Sequence, residues 1–228
     1  MDEQLPRLVL FPGLGIDERL FDQQKNLPVR LELPRLPTPL RTETVGAYSA
    51  RVAQMIDPTP PLYLGGVSFG AMIALEMAQA LRASGVFFIS GCTRPREISP
   101  VIRIGAFLAT GLPRLLFPTA ALVAPAFLRL LGRFDRQERA HMAEVFRAAN
   151  FELARWGARE IMRWRAPYDP PCPVHWIHGS ADHIVPAQRV RPDLLVPGAG
   201  HFLNVTHPRE VKEFIELRLR GNERNLTQ

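Results

Sequence analysis

Short apolar segments with the composition of buried strands alternate with amphipathic helical segments along much of this chain. The strand-like segments are 8–11, 29–33, 62–67, 85–90, 174–178 and 194–196, and helical spacing of apolar residues marks 16–27, 44–56, 69–83 and 208–219. Alternation of this kind favours parallel pairing, with helices on both faces of the sheet. The pattern therefore predicts an α/β fold with a mostly parallel sheet of about six strands.

The strand pattern is interrupted between the fourth and fifth strand-like segments. Residues 93–166 contain only helical segments, separated by proline and glycine. We therefore divide the chain into a core, 1–92 and 167–228, and a helical insertion, 93–166. Such an insertion predicts a cap over an active site, the alternative being a set of extra packing helices. Its apolar residues between positions 107 and 131 are candidates for an acyl pocket or for a core of the insertion itself.

The composition is that of an ordinary globular protein, and it excludes several classes of function. Hydrophobic residues make up 46% of the chain, but none of its runs approaches the roughly 20 apolar residues of a membrane span. The formal charge is +6, yet the arginines are scattered, so no nucleic-acid partner is expected. The 2 cysteines make neither a disulfide framework nor a metal site. We expect a cytoplasmic protein that uses no organic cofactor and no metal.

The segment 66–70 reads Gly-Val-Ser-Phe-Gly and stands between a strand-like and a helix-like segment. A sharp strand-to-helix turn holds the serine in a strained conformation and leaves no room for side chains at the flanking positions. The turn directs the Ser68 hydroxyl into the cleft at the carboxyl end of the strand. It also places Ser68 at a helix N-terminus, where free N–H groups favour developing negative charge. Ser68 is therefore a candidate nucleophile.

A serine hydroxyl needs a general base, and the base needs an acidic group to orient it. Asp182 follows the strand-like segment 174–178, and His201 follows the segment 194–196. In a parallel sheet these loops open at the same edge as the loop of Ser68, so the three side chains can converge. Ser68, Asp182 and His201 are thus the candidate catalytic set.

These motifs resemble those of the α/β-hydrolase superfamily, and they follow one another in its order. The matching segments are 12–15 (Pro-Gly-Leu-Gly), 66–70, 178–186 and 198–208. The resemblance implies an oxyanion hole formed by the backbone N–H groups of Leu14 and Phe69. The chain departs from the pattern because Pro12 stands where many relatives have histidine, and we expect the first hairpin of the family to be missing. Only a short turn is expected where relatives have a helix between the last two strands.

The implied reaction is hydrolysis of a small-molecule carboxylic ester through an acyl-enzyme on Ser68. A thioesterase or methyl esterase that acts on the acyl group of an acidic acyl-carrier protein is the main alternative, and the basic charge favours such a partner. A carbon–carbon bond hydrolase or a lyase also stays open, because a fold does not determine a reaction. From another class, a non-catalytic ligand-binding protein on the same scaffold remains an alternative.

One segment has the composition of a metal site but not its spacing. It contains His175, His178, Asp182 and His183. Residues three apart in a strand point to opposite faces, so His175 and His178 are not expected to share a metal ion.

Overall fold

All six strand-like segments form strands, and the strands make one sheet in which every neighbouring pair is parallel. This computed structural model describes residues 5–111, 131–167 and 169–226. The strands are β1 (Arg7–Phe11), β2 (Arg30–Glu32), β3 (Leu62–Val67), β4 (Gly85–Ile89), β5 (Val174–Gly179) and β6 (Leu194–Val196), in the order β2-β1-β3-β4-β5-β6. The prediction of a parallel α/β sheet is confirmed.

Helices connect the strands and cover both faces of the sheet. The helices are α1 (Val45–Ala53), α2 (Phe69–Met77), α3 (Pro100–Gly111), α4 (Arg136–Arg147), α5 (Phe151–Ile161), α6 (Leu203–Thr206) and α7 (Pro208–Leu226). Short 3-10 helices lie at Glu18–Gln24, Pro95–Glu97 and Ala187–Arg189. None of the helices in the described ranges is long and apolar enough to cross a membrane.

Alternate residues of the central strands supply two separate cores, one on each face of the sheet. Val9 and Leu64 belong to the core under α1 and α2, whereas Leu8 and Val67 belong to the core that α7 covers. All residues of β3 and β4 are buried, as expected for strands with helices on both sides. The sheet is therefore a rigid support for the loops at its carboxyl edge.

Two predicted helices differ from the structure in type or length. The helix expected over 16–27 is instead a 3-10 helix, Glu18–Gln24, and its backbone departs from helical angles at Phe21 (φ −104°, ψ 17°). Next to this departure, the carbonyl oxygen of Leu20 accepts a hydrogen bond from Nδ2 of Asn204 over 2.8 Å, a tertiary contact at the point where the regular helix is interrupted. Helix α2 ends at Met77 rather than near position 83, and Arg82 adopts a left-handed φ of 48°.

The segment between β4 and β5 contains α3, α4 and α5 and, within its described part, no strand. This matches the helical character expected for 93–166, while its division from the core and its function as a cap stay predictions. The structure does not describe the side chains of residues 107–130, and most of the proposed acyl-pocket residues lie in this stretch. The acyl pocket therefore lies outside the described part and stays a prediction.

Candidate active site

The carboxyl ends of β3, β4, β5 and β6 lie side by side and bring distant loops to one edge of the sheet. Register pairs link Val67 to Ile89, Ile89 to Ile177, and Gly179 to Val196. Beyond the strand ends, the backbone N–H of Ser68 donates to the carbonyl of Ile89 over 2.8 Å. The loops that carry Ser68, Asp182 and His201 therefore start from neighbouring points of the same edge.

Ser68 occupies the turn between β3 and α2 in a strained conformation. Its φ is 56° and its ψ is −114°, in a region that residues with a side chain rarely adopt. The turn is tight enough that a Cβ at Gly66 would overlap the backbone of Gly70, and a Cβ at Gly70 would overlap the carbonyl oxygen of Phe11. Both flanking glycines are thus required by close backbone packing, and Ser68 itself stays partly exposed.

Asp182 and His201 form a buried hydrogen-bonded pair. The Nδ1 atom of His201 lies 2.7 Å from Oδ2 of Asp182, and each residue is only 3% exposed. The other carboxylate oxygen, Oδ1, accepts hydrogen bonds from the backbone N–H groups of Ile184 (2.8 Å) and Val185 (2.9 Å). Both oxygens of the carboxylate are therefore held in place.

The charge of Asp182 is maintained in spite of its burial. Burial by itself raises the pKa of this carboxyl group, but the neighbouring His201 and His178 lower it by more than burial raises it. The resulting pKa lies well below the ordinary range of an aspartate. Asp182 is therefore ionised at neutral pH. An ionised acceptor at Oδ2 favours the His201 tautomer with its proton on Nδ1, which leaves Nε2 free to accept a proton.

His178 is a neighbour of Asp182 that the sequence reasoning missed. Its side chain is fully buried, and its Nε2 lies 2.8 Å from the carbonyl oxygen of Val185 and 3.3 Å from Oδ2 of Asp182. Because a carbonyl oxygen only accepts, Nε2 carries the proton and points it toward both oxygens. The spacing of four residues between His178 and Asp182 is the one signal in the sequence that relates them.

The loop after β1 meets the Ser68 turn and the His201 loop around Gly13. A Cβ at Gly13 would lie 3.7 Å from the carbonyl oxygen of Val67 and 3.7 Å from the Phe202 ring. Within the described residues, Ser68 Oγ and His201 form no direct hydrogen bond. Catalytic hydrogen bonds are often long in unliganded enzymes and tighten when substrate binds, so this geometry is compatible with a nucleophile–base pair.

The backbone amides of Leu14 and Phe69 lie on two of these converging loops. Phe69 is the first residue of α2, where an N–H group has no partner inside the helix. Leu14 lies inside a turn closed by a hydrogen bond from Ile16 N–H to the carbonyl oxygen of Gly13 (3.1 Å), and Gly15 completes it with a φ of 71°. In the loop contacts of the described residues, neither amide has an acceptor.

Comparison with known proteins decides the family. The model of the alpha/beta hydrolase family matches residues 8–214. The chain belongs to this family. The structure is also similar to an esterase from Thermogutta terrifontis (19% identity, TM-score 0.76, covering 95% of this chain and 90% of that one). No curated protein sequence matches this hydrolase significantly.

Two further solved structures share the fold of the hydrolase. One is a lipase-esterase related protein from Clostridium acetobutylicum (17% identity, TM-score 0.68, covering 94% of this chain and 95% of that one). The other is a thioesterase from the prodiginine biosynthetic pathway in Streptomyces coelicolor (22% identity, TM-score 0.63, covering 93% and 89%). At these identities the likeness establishes the fold, not the substrate.

Part of the helical insertion packs directly on the loops of the site. The backbone N–H of Asn150, which caps α5, donates to the carbonyl of Gly15 over 2.8 Å, and a Cβ at Gly157 in α5 would overlap the Leu14 side chain. On the His201 side, the N–H of Phe202 donates to the carbonyl of Leu131 over 3.1 Å. The insertion thus contacts both the loop of Leu14 and the loop of His201.

The histidines of β5 point to different faces of the sheet. His175 packs against the Phe87 ring with centroids 5.4 Å apart, on the face opposite the one that His178 occupies. Burial, together with the charge of Arg218, lowers the pKa of His175. Among the described residues, no group of three or more candidate ligands is placed to hold a metal ion.

Proposed function

We propose that this hydrolase cleaves carboxylic esters through an acyl-enzyme on Ser68. One observation carries the proposal: a buried, ionised Asp182 orients His201 over 2.7 Å at the same sheet edge where Ser68 is held in a strained turn. Nucleophile, base and orienting acid are the three parts that acyl transfer by a serine requires. Backbone strain of the kind seen at Ser68 clusters at active sites, where it holds a reacting group in position.

In the proposed reaction, His201 Nε2 takes the proton of Ser68 Oγ while the oxygen attacks the ester carbonyl carbon. The carbonyl π electrons move onto its oxygen, which the N–H groups of Leu14 and Phe69 stabilise. The tetrahedral intermediate collapses, the bond to the alcohol oxygen breaks, and His201 returns the proton to the leaving alcohol. Water activated by His201 then attacks the acyl-enzyme, which releases the acid and restores Ser68.

The proposed roles have different energetic weights. Loss of one oxyanion donor typically lowers kcat by about 10²–10³-fold. Loss of the nucleophile removes the covalent route entirely. Because Leu14 and Phe69 contribute backbone groups, substitution by any residue except proline keeps these donors, and the sharpest test addresses Ser68 itself.

The test compares the wild type, Ser68→Ala and Ser84→Ala with p-nitrophenyl esters of graded acyl length. Ser84 precedes β4 at the opposite end of the sheet, so its variant controls for a serine substitution as such. We expect turnover to vanish only in Ser68→Ala and a fluorophosphonate probe to label Ser68 in the other two proteins. If Ser68 is not labelled and the wild type shows no turnover, the proposal is wrong, and binding without catalysis becomes the better explanation; turnover that persists in Ser68→Ala would refute Ser68 as the nucleophile.

A thioesterase acting on a carrier-bound acyl group is the second candidate. Its specific support is the structural likeness to the Streptomyces coelicolor thioesterase and to a type II thioesterase of yersiniabactin biosynthesis. The formal charge of +6 would attract an acidic carrier protein. Parallel assays of one acyl group as its p-nitrophenyl ester and as its N-acetylcysteamine thioester separate the two. A kcat/KM at least tenfold higher for the thioester would favour the second candidate.

A further inference from the structure

The crossover connection between the parallel strands β5 and β6 is unusually short and contains no α-helix. Parallel neighbours are usually joined through an α-helix that covers one face of the sheet, but this connection contains only the 3-10 helix Ala187–Arg189. Val185 and Val190 of the connection are buried in the core on the α1 and α2 side, so the connection runs over that face. The outer part of this face, over β4 and β5, consequently lacks a covering helix.

A cleft of about 760 Å³ occupies the uncovered area. Its floor is apolar and includes Phe88 and Trp176, which are register partners on β4 and β5 and whose rings meet edge to face at 5.2 Å. Leu75 of α2 and Met162 after α5 complete this floor. The volume falls in the range of about 300–1,000 Å³ that is typical of small-molecule sites. We call this cavity the arginine cleft, after the residues at its rim.

Five arginines line the arginine cleft from four separate parts of the chain: Arg94, Arg96, Arg103, Arg165 and Arg191. None of the five forms an ion pair with a carboxylate of the described residues, whereas Arg7, Arg19 and Arg51 elsewhere in the protein do form such pairs. Like charges that line one cleft repel one another, and a bound anion lowers this repulsion.

The carboxylates near the arginine cleft are already engaged. Asp193, the single acidic residue among its described lining residues, accepts a hydrogen bond from the backbone N–H of Trp176 over 2.9 Å. Glu97 accepts hydrogen bonds from the N–H and hydroxyl of Thr93 (2.6 and 2.8 Å) and from the N–H of Arg94 (3.2 Å). These hydrogen bonds come from neutral donors and leave both carboxylates charged, but the five guanidinium groups outnumber them, so the net charge around the cleft is positive.

We propose that the arginine cleft binds a soluble organic phosphate, a molecule with one or more phosphate groups on an apolar body. Guanidinium groups bind phosphate oxygens through pairs of parallel hydrogen bonds, which favours arginine over lysine at such sites. The floor of Phe88 and Trp176 offers an apolar surface to the body of the ligand. None of the residues proposed for catalysis lines this cleft, so the inference does not depend on the proposed function.

The test is isothermal titration calorimetry with two probes, ATP and inorganic tripolyphosphate, at low ionic strength without divalent metal. ATP adds an aromatic body to the same chain of three phosphates, so it reports on the apolar floor as well as on the arginines. The test variant is the double substitution Arg103→Gln and Arg191→Gln. Its control, Arg136→Gln and Arg147→Gln, removes the same charge from exposed positions on α4.

We expect ATP to bind the wild type several-fold more tightly than tripolyphosphate. The cleft variant should weaken ATP binding by about tenfold or more, because charged hydrogen bonds are lost, while the control and Ser68→Ala stay within about twofold. Equal weakening in the cleft variant and the control would overturn the proposal, since net charge would then explain the binding. Failure of both probes to bind the wild type would overturn it as well, and so would loss of ATP binding in Ser68→Ala alone.

Discussion

Asp182→Asn isolates the orienting role of the carboxylate, because asparagine has almost the same shape. In the wild type, Oδ1 of Asp182 accepts from the N–H groups of Ile184 and Val185, while Oδ2 faces His201 and His178. Asparagine can keep its carbonyl oxygen toward the two backbone donors. The opposite orientation would set its NH₂ group against both of them, at about 1–3 kcal/mol for each unsatisfied group.

The favoured orientation places the asparagine NH₂ group against His201 Nδ1, about where Oδ2 lies 2.7 Å away in the wild type. An N–H donor there forces Nδ1 to accept, so the imidazole proton moves to Nε2. The base can then no longer take a proton from Ser68. Loss of the correct tautomer in a serine triad lowers kcat by about 10⁴-fold, equivalent to roughly 5 kcal/mol of transition-state stabilisation.

The assay measures kcat with a p-nitrophenyl ester for the wild type, Asp182→Asn and the exposed control Asp169→Asn. Thermal unfolding of each variant establishes that it is folded. We expect the control to match the wild type and Asp182→Asn to lose about 10³–10⁴-fold in kcat. A folded Asp182→Asn protein that keeps activity within tenfold of the wild type would refute the orienting role.

The same pair of proteins tests the pKa of Asp182. Because its folded-state pKa is lowered, its contribution to stability is complete above the unfolded pKa of about 3.9 and is lost as the pH falls through the folded-state value. The difference in free energy of unfolding between the wild type and Asp182→Asn should therefore shrink as the pH is lowered below about 4. Urea unfolding at a series of pH values measures it, and a difference that grows on acidification would contradict the lowered pKa.

Three further predictions concern packing, thiol reactivity and the second histidine. Gly70→Ala should lower the free energy of unfolding in urea by about 3 kcal/mol or more, because the added Cβ would overlap the backbone of β1. The control Gly105→Ala, where no described atom lies within 4 Å of the added Cβ, should change it by less than about 1 kcal/mol. Equal effects of the two substitutions would refute the packing argument. Burial raises the pKa of Cys92 to about 12 and that of Cys172 to about 11. Ellman's reagent should therefore react only slowly with the folded protein near pH 8, but with both thiols in urea. Rapid reaction of the folded protein would contradict the raised pKa values. His178→Leu should lower kcat by about tenfold and leave KM little changed, because the Asp182 carboxylate loses a hydrogen-bond donor. His178→Gln, which keeps an N–H donor, should recover part of this loss. Unchanged kcat in a folded His178→Leu protein would show that Asp182 does not need this neighbour.

The local elements followed from the sequence because their causes are local. Short apolar runs marked β3 at its observed bounds, 62–67, and placed β6 at 194–196. The glycines of 66–70 indicated a turn that no larger residue permits, and the structure shows the backbone contacts that enforce it. Segment 16–27 did not form the expected α-helix: a 3-10 helix with a departure at Phe21 formed instead, beside a tertiary hydrogen bond from Asn204 to the Leu20 carbonyl that helical spacing does not reveal.

Only the tertiary structure brought together residues whose proximity depends on strand order. Pairing of β4 with β5 brings Arg94 and Arg191 to the same cleft, and no periodicity links positions so far apart along the chain. His178 likewise became a partner of Asp182 only through the loop that returns Val185 to the end of β5. The physical reason is that sequence patterns record how each segment buries its own apolar face, whereas strand order and loop paths follow from packing among segments.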